Sequence, residues 1–70
     1  MMAKEITVNG TPRRNAPERL PGLLEAEGLD TQRRGLAVAI NGQVVPRQAW
    51  GEIVLHDGDT VEIVKPFSGG

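Results

Sequence analysis

Seventy residues make one small domain, able to bury only about 60% of its extended-chain surface, which favours work done at the surface or through a terminus over an internal catalytic cavity. Eight Lys and Arg against nine Asp and Glu leave a net charge of -1, so no basic excess is present to hold a nucleic acid. Cysteine is absent, which removes disulfides, thiolate metal sites and redox thiols together.

The first residues, Met1-Met2-Ala3-Lys4-Glu5, lack the apolar core of a signal peptide, and the longest apolar stretch, residues 36–40, is too short to cross a bilayer. A cytoplasmic protein without membrane contact is expected. Residues 4–8 alternate, with Ile6 and Val8 on one face and Glu5 and Thr7 on the other, and Asn9-Gly10 follows as a type I′ hairpin signal. Its partner strand runs from Thr11 to about Asn15. Leu20, Leu23 and Leu24, with Glu27 at the end of the series, fall at helical spacing, and Gly28 supplies the left-handed stop. Pro21 and Gly22 lower helix propensity, but a proline is tolerated in a first turn, where its missing N–H has no intrahelical partner anyway.

Residues 30–35 read as a polar, basic loop, and residues 36–40 as a strand buried on at least one side. Asn41-Gly42 turns this strand back into Gln43-Val44-Val45, which Pro46 ends. Arg47-Gln48-Ala49-Trp50-Gly51 reads as a short turn anchored by Trp50, and residues 53–55 as a brief extended piece. After an Asp57-Gly58-Asp59 turn, residues 60–64 form the last strand, which Pro66 terminates because proline cannot donate to a ladder.

Two strands, one helix and two or more further strands, with the chain end leaving the last one, is the order of a β-grasp, or ubiquitin-like, domain. The predicted fold is α+β: a mixed four- to five-stranded sheet with one helix packed on one face, over residues 1–66, and a flexible tail over residues 67–70. The first and last strands are expected side by side and parallel, since the chain between them is long enough for a crossover. The helix leucines then cover Ile6, Val8, Val38, Ile40, Val61 and Ile63. Alternation leaves Ala37, Ala39 and Val64 on the open face, and Phe67 extends that apolar patch toward the tail. These residues, with Arg47, are the candidate partner-binding set.

No catalytic constellation accompanies this fold. The single histidine, His56, reads as a surface residue at a strand end. Asp57 and Asp59 flank a glycine in a tight turn and lack the further ligands of a calcium loop, so neither a metal nor a bound cofactor is expected. Arg47 can pair with a carboxylate or contact a partner, and Trp50 is a core residue. The chemistry lies in the Gly69-Gly70 end. Glycine has no Cβ, so such an end threads a channel too narrow for other residues. Its free α-carboxylate, with a pKa of about 3.5, is ionised at neutral pH and can attack the α-phosphorus of ATP to form an acyl-adenylate. A persulfide sulfur can then replace the adenylate, giving a thiocarboxylate that carries sulfur without a cysteine. Extended, residues 67–70 reach about 13 Å.

The run Ala39-Ile40-Asn41-Gly42-Gln43-Val44-Val45-Pro46-Arg47, then Trp50, then residues 57–64 and Gly69-Gly70, resembles the ThiS family of sulfur carriers in thiamine biosynthesis over nearly the whole chain. The resemblance implies a carrier rather than an enzyme. Its terminal Gly70 would be adenylated by a ubiquitin-activating-type enzyme using ATP and Mg²⁺, loaded from a persulfide donor and presented to thiazole synthase, with Gly69 letting the tail enter both enzymes. The Asp-Gly-Asp turn and Gly-Gly end are shared with the molybdopterin synthase small subunit, whose ending Lys65-Pro66-Phe67-Ser68 resembles more closely. That subunit and a noncovalent ubiquitin-like interaction module are the alternative readings.

Overall fold

The structure, a computed structural model, describes residues 4–32 and 34–65. Strands β1 (Glu5–Val8) and β2 (Thr11–Arg14) form an antiparallel hairpin, followed by helix α1 (Leu20–Ala26), strands β3 (Ala37–Ile40) and β4 (Gln43–Val44), a 3₁₀ turn (Arg47–Glu52) and strand β5 (Thr60–Val64). The sheet order is β2-β1-β5-β3-β4, with β5 parallel to β1 and antiparallel to β3. This is the expected β-grasp, with five strands. The termination of β5 by Pro66 and the tail over residues 67–70 lie outside the described residues.

Both Asn-Gly pairs form the predicted tight turns, with φ of 49° and 82° at Asn9 and Gly10 and of 51° and 84° at Asn41 and Gly42. Each asparagine also does something that a turn does not require. The Asn9 N–H donates to the Val61 carbonyl at 2.9 Å, continuing the parallel β1–β5 ladder. There the main chain turns away, and the side chain takes over: Asn9 Oδ1 accepts from the Ile63 N–H at 2.8 Å, and Nδ2 donates to the Ile63 carbonyl at 3.2 Å. Asn41 repeats the device on the other flank. Its N–H donates to the Thr60 carbonyl at 2.7 Å, and its Oδ1 accepts from the Thr60 N–H at 2.9 Å. The central strand is thereby held at both ends by side-chain amides that replace a turning backbone carbonyl.

Helix α1 starts without a side-chain cap on Arg19. Its first donor is met by a different route, since the Leu20 N–H donates to the Ile53 carbonyl at 3.0 Å and the Leu55 N–H to the Glu18 carbonyl at 2.8 Å. The Arg19 and Val54 main chains thus form an isolated bridge. Pro21 follows in the first turn, where it forfeits nothing. Gly22 has a packing reason: a Cβ there would lie 3.1 Å from the Pro17 side chain. The helix ends as a Schellman motif, with Gly28 at φ 77°, its N–H on the Glu25 carbonyl at 2.9 Å and the Leu29 N–H on the Leu24 carbonyl at 3.0 Å.

Leu20, Leu23 and Leu24 then meet Ile6, Val8, Val38, Val61 and Ile63, with Leu36, Trp50 and Leu55 completing the buried cluster. Ile40 is only partly buried at its margin. Trp50, 5% exposed, donates from Nε1 to the Val45 carbonyl at 2.9 Å. That bond satisfies the one polar atom its burial would otherwise strand.

Asn9→Gly tolerates the left-handed backbone and deletes only the side-chain bonds to Ile63. It is expected to lower stability by about 1–2 kcal/mol, read as a lower urea midpoint at unchanged slope; an unmoved midpoint means those bonds contribute nothing.

Candidate functional site

The open sheet face carries the candidate interface. Ala37 lies directly opposite Val64, and Ala39 lies between Glu62 on β5 and Val44 on β4. These residues enclose a shallow depression of about 140 Å³, with alanines as its floor and Val44 and Val64 as its walls. Val64 is 62% exposed and Val44 76%. These exposed apolar side chains gather on one face, on and beside the strand that leads toward the chain end. Glu62 and Val44 are members of the patch that the sequence reading did not single out. The Asn41-Gly42 turn fixes the β3–β4 register and so already placed Val44 against Ala39.

Phe67, Gly69 and Gly70 lie outside the described residues. They follow in sequence from β5, whose outward residues Glu62 and Val64 belong to the depression and whose last described follower is Lys65. Arg47 belongs elsewhere. Its guanidinium lies over the Trp50 ring at 4.5 Å and donates to the Thr31 carbonyl, on the helix side of the sheet in a cleft shared with Pro21, Leu24 and Gln32. It therefore closes the core over Trp50 and anchors the loop after α1, at a distance in the fold from the Ala37, Ala39 and Val64 patch.

The acidic turn is used structurally. Asp57 Oδ1 accepts from the Glu5 N–H at 2.7 Å, while Asp59 accepts from the His56 N–H at 2.8 Å and from Asn41 Nδ2 at 3.0 Å. His56 is exposed, with Nδ1 3.9 Å from Asp59. Among the described residues no polar or charged side chain is buried, and no group of three or more His, Asp and Glu is placed to hold a metal ion. No helix among them is long and apolar enough to cross a membrane.

The ThiS family model matches residues 6–70. The chain belongs to the ThiS family. It is a sulfur carrier of thiamine biosynthesis, similar to the sulfur carrier protein ThiS of Escherichia coli at 41% identity over 44 residues, 63% of this chain and 67% of that protein. The crystal structure of the ThiS thiamine biosynthesis protein of Geobacter metallireducens superimposes with a TM-score of 0.74 at 33% identity, covering 94% of this chain and 99% of that one. Its solution structure gives 0.75 at 32% identity, covering 94% and 87%. A thiazole synthase of Paramagnetospirillum magneticum is 31% identical over 67 residues, 94% of this chain but 20% of that protein. The chain therefore spans about a fifth of that relative's length. The family model and both solved neighbours favour the thiamine reading over the molybdopterin one left open by the sequence.

The two faces predict opposite responses to substitution. Leu24→Ala, in the fully buried cluster, is expected to cost about 2–5 kcal/mol, whereas Val64→Asp on the open face costs less than about 1 kcal/mol. Thermal and urea unfolding of both variants measure this; a severe loss from Val64→Asp would place that residue in the core.

Proposed function

We propose that the sulfur is carried on the C-terminal carbonyl of Gly70. A carboxylate oxygen of Gly70 attacks the α-phosphorus of ATP in a ubiquitin-activating-type enzyme, with Mg²⁺ bound to the nucleotide, and pyrophosphate leaves. The acyl carbon of the adenylate is now electrophilic. The terminal sulfur of a persulfide donor adds to it and AMP departs, leaving an acyl disulfide. A second thiol breaks the sulfur–sulfur bond and releases the Gly70 thiocarboxylate, which thiazole synthase uses as its sulfur source. ATP and Mg²⁺ belong to the activating enzyme; the carrier supplies the acyl group and the surface that delivers it.

The observation that carries this reading is the position of β5. Its outward residues are shared with the Ala37, Ala39 and Val44 depression, and its continuation is the segment ending in Gly69-Gly70. A partner that grips the open face has the tail within reach. Gly69 has no Cβ to obstruct a narrow channel. The thiazole synthase partnership draws support from the relative in which a segment similar to this chain forms a fifth of a thiazole synthase. Joining two modules in one polypeptide raises the local concentration of each for the other, an arrangement selected for groups that must meet.

Reach supplies the test. Deleting Gly70 withdraws the carboxylate by about 3.5 Å, and a misplacement of about 1 Å can cost on the order of a hundredfold in rate. The shortened chain is expected to unfold as the full chain does and to support no pyrophosphate release with its activating enzyme. Intact mass of protein taken from cells is expected to include a species with one oxygen replaced by sulfur, absent from the shortened chain. Normal turnover by the shortened chain would remove Gly70 from the reaction.

A further inference from the structure

The depression on the open face contains a group that apolar docking does not call for. Ala37 and Ala39 form its floor, Val44 and Val64 its walls, and its remaining exposed member is the carboxylate of Glu62. Glu62 stands in the middle of the central strand, directly opposite Ala39. Glutamate is a poor choice there, since strands favour branched and aromatic residues. The ion pairs seen among the described residues join Arg13 to Glu27, Arg14 to Glu5 and His56 to Asp59; Glu62 takes part in none of them. A negative charge without an ion-pair partner among the described residues, set beside an apolar trough, is half of an interaction.

We infer that the activating enzyme which receives the tail lays an arginine side chain along this trough. Its methylene stem lies on Ala37 and Ala39 between the two valines, and its guanidinium meets Glu62. Arginine suits both parts of the site: its stem covers apolar surface while its charged end stays polar, and its planar fork can give a carboxylate two parallel hydrogen bonds. The alanine floor matters because side chains ending at Cβ let the stem lie close to the sheet. Docking closes water out, so a partner lacking the cation leaves Glu62 buried and unpaired and is rejected. The pair also fixes register, holding the domain where the tail enters the enzyme. This inference rests on the open face being the docking surface, and its test separates the two.

The experiment is equilibrium binding of the purified activating enzyme to the full chain at low and physiological salt, for the wild type and for Glu62→Gln, Glu62→Arg and Val64→Asp. Glu62→Gln is expected to bind on the order of tenfold more weakly and to lose part of the salt dependence shown by the wild type. Glu62→Arg, which opposes two cations, binds more weakly still. Both variants keep the wild-type melting curve, because the side chain is exposed. If Glu62→Gln binds like the wild type with the same salt response while Val64→Asp binds weakly, the ion pair is overturned and the docking face stands. If Val64→Asp also binds like the wild type, the docking face falls, and the ion pair with it.

Discussion

Everything that this small sheet does depends on keeping β5 in its centre, parallel to β1, although the two strands are joined through almost the whole length of the chain. A parallel neighbour cannot be fixed by a hairpin, so its register has to come from hydrogen bonds made late and far apart in sequence. The protein supplies them at both ends of the strand. Asn9 extends the β1 ladder past its own turn by offering a side-chain amide to Ile63, and Asn41 does the same for Thr60 from the β3–β4 hairpin. Asp59 ties the same region together through His56 and Asn41.

With β5 fixed, its alternation divides the molecule. Val61 and Ile63 point into the cluster under α1, and Glu62 and Val64 point out beside the alanines of β3. One strand therefore links the stability of the domain to its recognition surface, and the tail continues from that strand. No polar side chain is buried among the described residues, so the core that holds this geometry is apolar.

Several local choices that look unfavourable in isolation make sense only in this frame. Pro21-Gly22 would weaken an isolated helix, yet Pro21 falls where no N–H is needed and Gly22 leaves room for Pro17. The missing cap is replaced by the main chain at residues 53–55, a segment more than thirty positions away in sequence. Arg47, legible as a charge seeking a partner, has its guanidinium over the Trp50 ring and donates to the Thr31 carbonyl. The contact is geometric: a guanidinium plane matches a ring face, and a sequence carries no signal of which ring lies beneath it.

The sequence by itself determined the elements and their faces. Period-2 alternation in residues 4–8 and 60–64, leucines at helical spacing, and two Asn-Gly pairs settle strands, helix and hairpins because these are properties of the local backbone. The order of elements, with the Gly-Gly end and the run from Ala39 to Arg47, was enough to reach the β-grasp and the carrier family. Tertiary structure alone decided what the asparagines and Arg47 do, and it alone set Glu62 opposite Ala39. Each of these placements depends on a group from elsewhere in the chain: the amides of Ile63 and Thr60 for the asparagines, the Thr31 carbonyl for Arg47, and Ala39 on the neighbouring strand for Glu62. Spacing in sequence encodes direction within one element, but the distance between elements is set only when the core closes and excludes water.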